Sequence, residues 1–143
     1  MKNIIYDHLR FLAIGVGCVF VSALANADVP RRLLEAIRIV ESGGNDNAVG
    51  DGGKAIGPYQ IWRGYWKDAL EYDPSIGGSY ENCYERKYAE RVVQAYMARY
   101  ANERRLGHAP TEEDIARIHN GGPNGHRKKA TVSYWEKVQK ELK

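Results

Sequence analysis

Ile39-Val-Glu-Ser-Gly-Gly-Asn45 predicts the end of a helix. After four intervening residues, Gly50-Asp-Gly-Gly-Lys-Ala-Ile-Gly-Pro-Tyr-Gln-Ile61 predicts a glycine-rich β-hairpin. The helix is indicated by apolar residues at spacings of three and four, namely Leu33, Leu34, Ile37 and Val40. Gly43 and Gly44 end it, because glycine readily adopts the left-handed conformation of a helix C-terminus. The glycines between Gly50 and Gly53 allow positive φ angles, and we expect short strands at Ala55-Ile56 and Tyr59-Gln60-Ile61.

This junction carries two carboxyl groups in different surroundings, those of Glu41 and Asp51. Glu41 falls in the last helical turn at the edge of the apolar stripe, where the helix dipole and burial both disfavour the ionised form. Asp51 lies in a turn of small residues, where water and backbone N–H groups favour the charged form. Such a pair matches the acid and the nucleophile of glycoside hydrolysis. The alternative is that both are solvated surface charges, as most such residues are.

Outside this junction the sequence predicts helices, and the hairpin is the only clear β element. Pro30 suits the first position of the helix that ends at Ser42, and Thr111 with Asp114 has the spacing of a capping box. The element order therefore indicates an α+β fold that is mostly α. The further predicted elements are a short helix near 64–70, a long helix over 80–102, a helix from 111 to about His119, a loop over 120–125 and a last helix over 130–142.

Residues 1–27 have the pattern of a secretory signal peptide. Lys2 and Arg10 precede an apolar run of about fifteen residues, which is shorter than the roughly twenty that span a bilayer. Ala25-Asn26-Ala27 supplies the small-x-small cleavage pattern. We therefore expect a secreted or periplasmic protein that is not membrane-bound after cleavage, with one domain over residues 28–143.

The charge and the histidines limit the classes of partner. The chain has a formal net charge of +3, which is mildly basic and does not predict nucleic-acid binding. His8, His108 and His126 lack the spacing to other histidines, cysteines or carboxylates that a metal site requires. No metal or cofactor is predicted.

Three further motifs, together with the junction, resemble the invertebrate-type lysozymes, the destabilase family. They are Tyr65-Trp66 with Asp68, Tyr96-Met-Ala-Arg-Tyr100, and Ala116-Arg-Ile-His-Asn-Gly-Gly-Pro-Asn-Gly125. The resemblance covers about Leu33 to Leu142. It implies a lysozyme-like fold in which the small hairpin faces a helical bundle across a groove that binds peptidoglycan.

The resemblance also implies roles for single residues. Glu41 would be the general acid and base, and Asp51 the nucleophile, of a retaining β-1,4-N-acetylmuramoylhydrolase. The residues that would contact the substrate are Gln60, Tyr65, Trp66, Tyr96, His119 and Asn120. Each also has a structural interpretation, as a core aromatic, a strand or turn cap, or a histidine that holds the loop. A proteinaceous lysozyme inhibitor is a further partner that the resemblance implies.

The sequence departs from the family in its cysteines and in one aromatic position. Animal members are rich in disulfides, whereas Cys83 is the single cysteine of residues 28–143, so packing must hold the fold. Pro58 occupies the first aromatic position of the Gly-aromatic-aromatic-Gln-Ile motif. The single cysteine suggests a bacterial envelope protein.

Three alternative functions remain open from the sequence. A lytic transglycosylase would also use Glu41 but would not need Asp51. An isopeptidase would need an activated nucleophile, and Ser42, the nearest hydroxyl to Glu41, has no feature that activates it. A non-catalytic glycan-binding protein is expected to have lost one of the two carboxylates, and both are present.

Overall fold

The computed structural model describes residues 28–142, so the predicted signal peptide lies outside the described residues. The described chain is mostly helical and contains a small antiparallel sheet. The helices are α1 (Arg31–Ser42), α2 (Arg63–Tyr72), α3 (Arg86–Tyr100), α4 (Glu103–Leu106), α5 (Glu112–Gly121) and α6 (Val132–Glu141), and the strands are β1 (Val49–Gly50), β2 (Ala55–Ile56) and β3 (Ile61–Trp62). This arrangement confirms the predicted α+β fold class.

The sheet has the order β1-β2-β3, and both of its pairings are antiparallel. Val49 pairs with Ile56, and Ala55 pairs with Trp62. The sequence predicted one hairpin, so β1 is an addition and the element is a three-stranded meander. β1 gave no sequence signal because it is two residues long and Val49 is exposed, which leaves no apolar alternation to detect.

The core is formed by side chains of α1, α3, α5 and α6. Leu33, Leu34 and Ile37 of α1 are buried, as the spacing of their stripe predicted. They join the buried side chains of the other helices in one cluster, which includes Val92, Val93 and Met97 of α3, Ile115 and Ile118 of α5, and Val138 of α6. Burial of these side chains is the main stabilising contribution in a chain whose described part has no disulfide.

The predicted long helix over 80–102 is divided in the structure. Tyr80–Tyr84 forms a short 3₁₀ helix, and α3 begins at Arg86. Glu85 between them has extended backbone angles (φ −80°, ψ 116°), which interrupt the helical hydrogen bonds. The capping box predicted at Thr111 is confirmed, because the Thr111 side chain accepts from the Asp114 backbone N–H and the Asp114 side chain accepts from that of Thr111.

A largely buried carboxylate, that of Glu90 on α3, ties the sheet region to two helices. It accepts hydrogen bonds from the Tyr59 hydroxyl (3.0 Å), from Arg31 at the start of α1 (2.6 Å) and from Arg86 (2.9 Å). Its side chain is 12% exposed. Because Tyr59 lies between β2 and β3, this network fixes the sheet against the helical part of the chain.

Across residues 28–142, no helix combines the length and the apolar character needed to cross a bilayer.

Candidate active site

A cavity of about 320 Å³ lies between the sheet and the helices. Side chains from both sides line it. They are Glu41 at the end of α1, Asp51, Gln60 and Trp62 of the sheet region, Gly64 and Tyr65 of α2, Tyr96 of α3, and His119, Asn120 and Gly122 at the end of α5. Both predicted catalytic carboxyl groups therefore border the same cavity.

Glu41 lies in the last turn of α1, which Gly43 ends in a left-handed conformation (φ 62°). The Glu41 side chain is only 17% exposed, and this burial raises the pKa of its carboxyl group to about 7. The charge of Asp51 adds to the rise in pKa, while a 2.7 Å hydrogen bond from the Tyr134 hydroxyl to Oε1 opposes it. Glu41 can therefore hold a transferable proton near neutral pH.

Asp51 lies in the turn between β1 and β2 and is exposed to solvent. Its φ of 50° is left-handed, an unusual conformation for a residue with a side chain. Oδ2 accepts a 3.1 Å hydrogen bond from the indole N–H of Trp62. The Asp51 carboxyl group is therefore open to solvent on the sheet side of the cavity, while Glu41 is largely buried on the helical side.

His119 is buried between the two walls of the cavity, and its hydrogen bonds define its tautomer. Nε2 lies 3.1 Å from the Tyr59 carbonyl oxygen, which can only accept, so Nε2 carries the proton. Nδ1 then accepts a 3.2 Å hydrogen bond from the Tyr65 hydroxyl. Burial lowers the pKa of His119 to about 4, so the ring is neutral near pH 7.

His119 and Glu41 do not form an ion pair, although Nε2 and Oε1 are only 3.5 Å apart. Burial favours the neutral form of each group, raising the pKa of one and lowering that of the other. The single lone pair of the ring is used by Tyr65, so His119 is not placed to act as a base. It forms part of the cavity wall.

The remaining predicted residues occupy different parts of the cavity. The rings of Tyr65 and Tyr96 stack with a centroid distance of 3.5 Å and an interplanar angle of 10°. Gln60 has a left-handed φ of 47°, and its side-chain amide donates to the Gly57 carbonyl (2.9 Å). Asn120 is exposed at the rim, where its amide is accessible to a ligand.

Trp66 does not line this cavity, so its placement does not support the predicted sugar contact. Its indole N–H donates to the Tyr88 hydroxyl (2.9 Å), and its ring packs against Tyr80. Trp66 follows Tyr65 by one residue on α2, a rotation of about 100° around the helix. Adjacent helical residues therefore face different surroundings, and only Tyr65 faces the site.

Two residues of the site, Trp62 and Tyr134, were not among the sequence predictions. Trp62 lay one residue beyond the predicted strand at Tyr59-Gln60-Ile61, whereas in the structure Tyr59 and Gln60 belong to the turn and the strand is Ile61–Trp62. Tyr134 had no local signal, since it is 93 residues from the Glu41 that it contacts. Only the packing of α6 against α1 brings them together.

Two carboxyl groups border one cleft, one buried with a raised pKa and one exposed, and this arrangement is typical of glycosidases of the lysozyme type. The family profile named Destabilase matches residues 31–141. The chain belongs to the destabilase family, the invertebrate-type lysozymes, as its motifs predicted. Membership supports a glycoside hydrolase activity of the lysozyme type.

Individual relatives agree with this assignment. A lysozyme of Meretrix lusoria is 36% identical over 120 residues, 81% of this chain and 93% of the relative. Lysozyme 1 of Crassostrea virginica is 45% identical over 86 residues, but the match spans only 44% of the relative and 59% of this chain. The solved structure of Meretrix lusoria lysozyme in complex with Aeromonas hydrophila PliI aligns with a TM-score of 0.67 at 36% identity, over 81% of this chain and 93% of that one.

Within residues 28–142, no group of three or more histidine, cysteine, aspartate or glutamate side chains is arranged to hold a metal ion.

Proposed function

We propose that this chain is a retaining β-1,4-N-acetylmuramoylhydrolase that cleaves the glycan of peptidoglycan. Glu41 is the general acid and base, and Asp51 is the nucleophile. The observation that carries the proposal is the difference between the two carboxyl groups around one cavity. Burial raises the pKa of Glu41 to about 7, whereas Asp51 is exposed in the facing turn.

In the first step, Asp51 attacks the anomeric carbon while the Glu41 carboxyl group donates its proton to the departing glycosidic oxygen. The bond between the anomeric carbon and that oxygen breaks, and a glycosyl ester forms on Asp51. Glu41 is left as a carboxylate in a largely buried position. The Tyr134 hydroxyl still donates to Oε1 and stabilises the new charge.

In the second step, the Glu41 carboxylate removes a proton from a water molecule, and the hydroxide attacks the anomeric carbon. The ester bond to Asp51 breaks, Glu41 regains its proton, and the sugar is released with its original anomeric configuration. The other residues of the cavity contact or position the sugar and take no part in proton transfer or bond formation. Asn120 at the rim offers an amide to the sugar, while Tyr65 and His119 are already hydrogen-bonded to each other.

The proposal extends to location and partners. The pattern of residues 1–27 supports export, and release after Ala27 would place the enzyme in the periplasm or outside the cell. The Meretrix lusoria relative has been solved in complex with the protein PliI, which supports a protein partner of this kind for the present chain. We therefore include a proteinaceous lysozyme inhibitor among the proposed partners.

The test is the chemical nature of the glycan ends released from purified peptidoglycan, measured by mass spectrometry. We expect the wild-type protein to release reducing N-acetylmuramic acid ends, and the Asp51→Asn variant to release them at least about 100-fold more slowly. Asp46→Asn is the matched control, because Asp46 is exposed outside the cavity and should retain wild-type rates.

The other outcomes would contradict specific parts of the proposal. Anhydro ends that persist in Asp51→Asn would show a lytic transglycosylase, in which the substrate itself closes the ring. An absence of new glycan ends would leave isopeptide cleavage or glycan binding as the function.

A further inference from the structure

We propose that two aromatic donors, Tyr134 and Trp62, determine which oxygen of each catalytic carboxyl group reacts. Tyr134 occupies Oε1 of Glu41, so that Oε2 carries the transferred proton, and Trp62 occupies Oδ2 of Asp51, so that Oδ1 attacks. Both act as positioning residues, and the inference rests on the proposed glycosidase function.

The assignment for Glu41 follows from the groups that face Oε1, of which Tyr134 is the hydrogen-bond donor. The Tyr134 hydroxyl donates to this oxygen at 2.7 Å, and Nε2 of His119, which carries a proton, lies 3.5 Å from it. In a neutral carboxyl group the carbonyl oxygen is the better acceptor, and the other oxygen bears the hydrogen. Oε1 is therefore the carbonyl oxygen, and Oε2 is the hydroxyl that protonates the leaving group.

Tyr134 remains a donor throughout the catalytic cycle. It is 8% exposed, and burial together with the charge of Glu41 raises its pKa well above the usual value for tyrosine. It therefore stays protonated when Glu41 ionises. A fixed donor at Oε1 stabilises the carboxylate formed in the first step and holds the carboxyl plane in one orientation.

The assignment for Asp51 follows from the chemistry of indole. Nε1 of Trp62 can only donate, and it lies 3.1 Å from Oδ2. Trp62 is the last residue of β3 and pairs with Ala55, so a sheet position and not a mobile loop presents the ring to the turn. Trp62 is 48% exposed, so it contributes little to the core, and its substitution tests the positioning role more than the stability of the fold.

The first arm of the test is Tyr134→Phe, which keeps the ring and removes the donor. Tyr65 from α2, His119 from α5 and the Asp51 turn still face Glu41, so its other neighbours are unchanged. We expect the alkaline limb of the kcat profile on soluble peptidoglycan strands to move up by about one pH unit. Tyr84→Phe, a similar change away from the cavity, should leave the limb in place, and an unmoved limb in Tyr134→Phe would overturn this assignment.

The second arm is Trp62→Phe, which keeps an aromatic face and removes the N–H. Because Oδ1 would no longer be held in one orientation, we expect kcat to fall about tenfold while KM stays within about twofold. Trp135→Phe, at a tryptophan outside the cavity, controls for the substitution itself. A higher KM with unchanged kcat would show that Trp62 only binds sugar, and would overturn its positioning role.

The two arms are interpreted against the wild-type products. If the wild-type protein releases no reducing ends, the proposed function and this inference both fail. If it does release them, while Tyr134→Phe leaves the pH limb unmoved and Trp62→Phe leaves kcat unchanged, only the inference fails. Thermal denaturation of each variant confirms that the folded protein is being compared.

Discussion

Glu41→Gln is expected to lower kcat/KM on peptidoglycan by about 1,000-fold or more, since general acid catalysis alone contributes roughly 10²–10⁴. The amide is similar in size to the carboxyl group and can still accept from the Tyr134 hydroxyl, so the cavity should keep its shape. It cannot transfer a proton to the glycosidic oxygen. The measurement is the steady-state rate of reducing-end release at pH 6, below the pKa of about 7 at which Glu41 loses its proton.

The stability of the same variant shows whether a loss of activity is caused by unfolding. The pKa of Glu41 is about 7 in the folded chain and 4.5 in the reference state, so the folded protein binds this proton more tightly. The free energy of unfolding of the wild type therefore falls as pH rises from about 4.5 to about 7, by roughly 3 kcal/mol from this group. Glu41→Gln lacks the effect, and urea unfolding should show it to be more stable than the wild type at pH 8.

Glu136→Gln is the matched control, because Glu136 is an exposed carboxylate on α6. It should leave the rate of reducing-end release at the wild-type value. A Glu41→Gln protein that retains more than about a tenth of the wild-type rate would exclude Glu41 as the general acid.

The sequence predicted those parts of the fold that depend on local patterns. The apolar stripe and Gly43 located α1 and its end, and Thr111 with Asp114 located the start of α5. Glu41 was predicted to have a raised pKa in the same way, because its position at a helix end beside apolar residues disfavours the charged form, and its pKa of about 7 agrees with this prediction. These features depend on neighbours within a few residues, which a single sequence contains.

What the sequence did not predict depends on contacts between distant segments. The hydrogen bond of Tyr134 to Glu41 exists only because α6 packs on α1. Trp66 was assigned to the site with Tyr65 because the two are adjacent in the motif, but helical geometry turns it toward Tyr88. His119 was predicted near the site, yet its tautomer and neutral state follow from Tyr59 and Tyr65, more than fifty residues away.

Gly57→Ala is expected to destabilise the fold by about 3 kcal/mol or more. Gly57 has a φ of +74° in the turn between β2 and β3, which for alanine costs about 1–2 kcal/mol. A Cβ at this position would also overlap the backbone carbonyl of Cys83, and a backbone group cannot relieve the overlap by changing rotamer. Overpacking of this kind costs a further 1–3 kcal/mol or so, in a domain of total stability roughly 5–15 kcal/mol.

The close approach at Gly57 explains why the Gly-Pro-Tyr-Gln-Ile segment begins with glycine, and it ties stability to the site. The Cys83 carbonyl lies against Gly57, and the Tyr80 hydroxyl donates to the Ile61 carbonyl (2.6 Å). The 3₁₀ helix at Tyr80–Tyr84 therefore supports the sheet region at two points. If that support shifts, the Tyr59 carbonyl that holds His119 shifts with it. We therefore expect the melting temperature of Gly57→Ala to fall by about 10 °C or more, and its activity to fall even at temperatures where it remains folded.

Gly107→Ala separates the two causes of this loss. Gly107 has a similar φ of +80° at the end of α4, but nothing lies within 4 Å of an added Cβ, so only the conformational cost of about 1–2 kcal/mol applies. Differential scanning calorimetry of the two variants measures the difference directly. Equal losses of stability would mean that the Cys83 contact relaxes at no cost, and that a left-handed backbone is the sole reason for glycine at position 57.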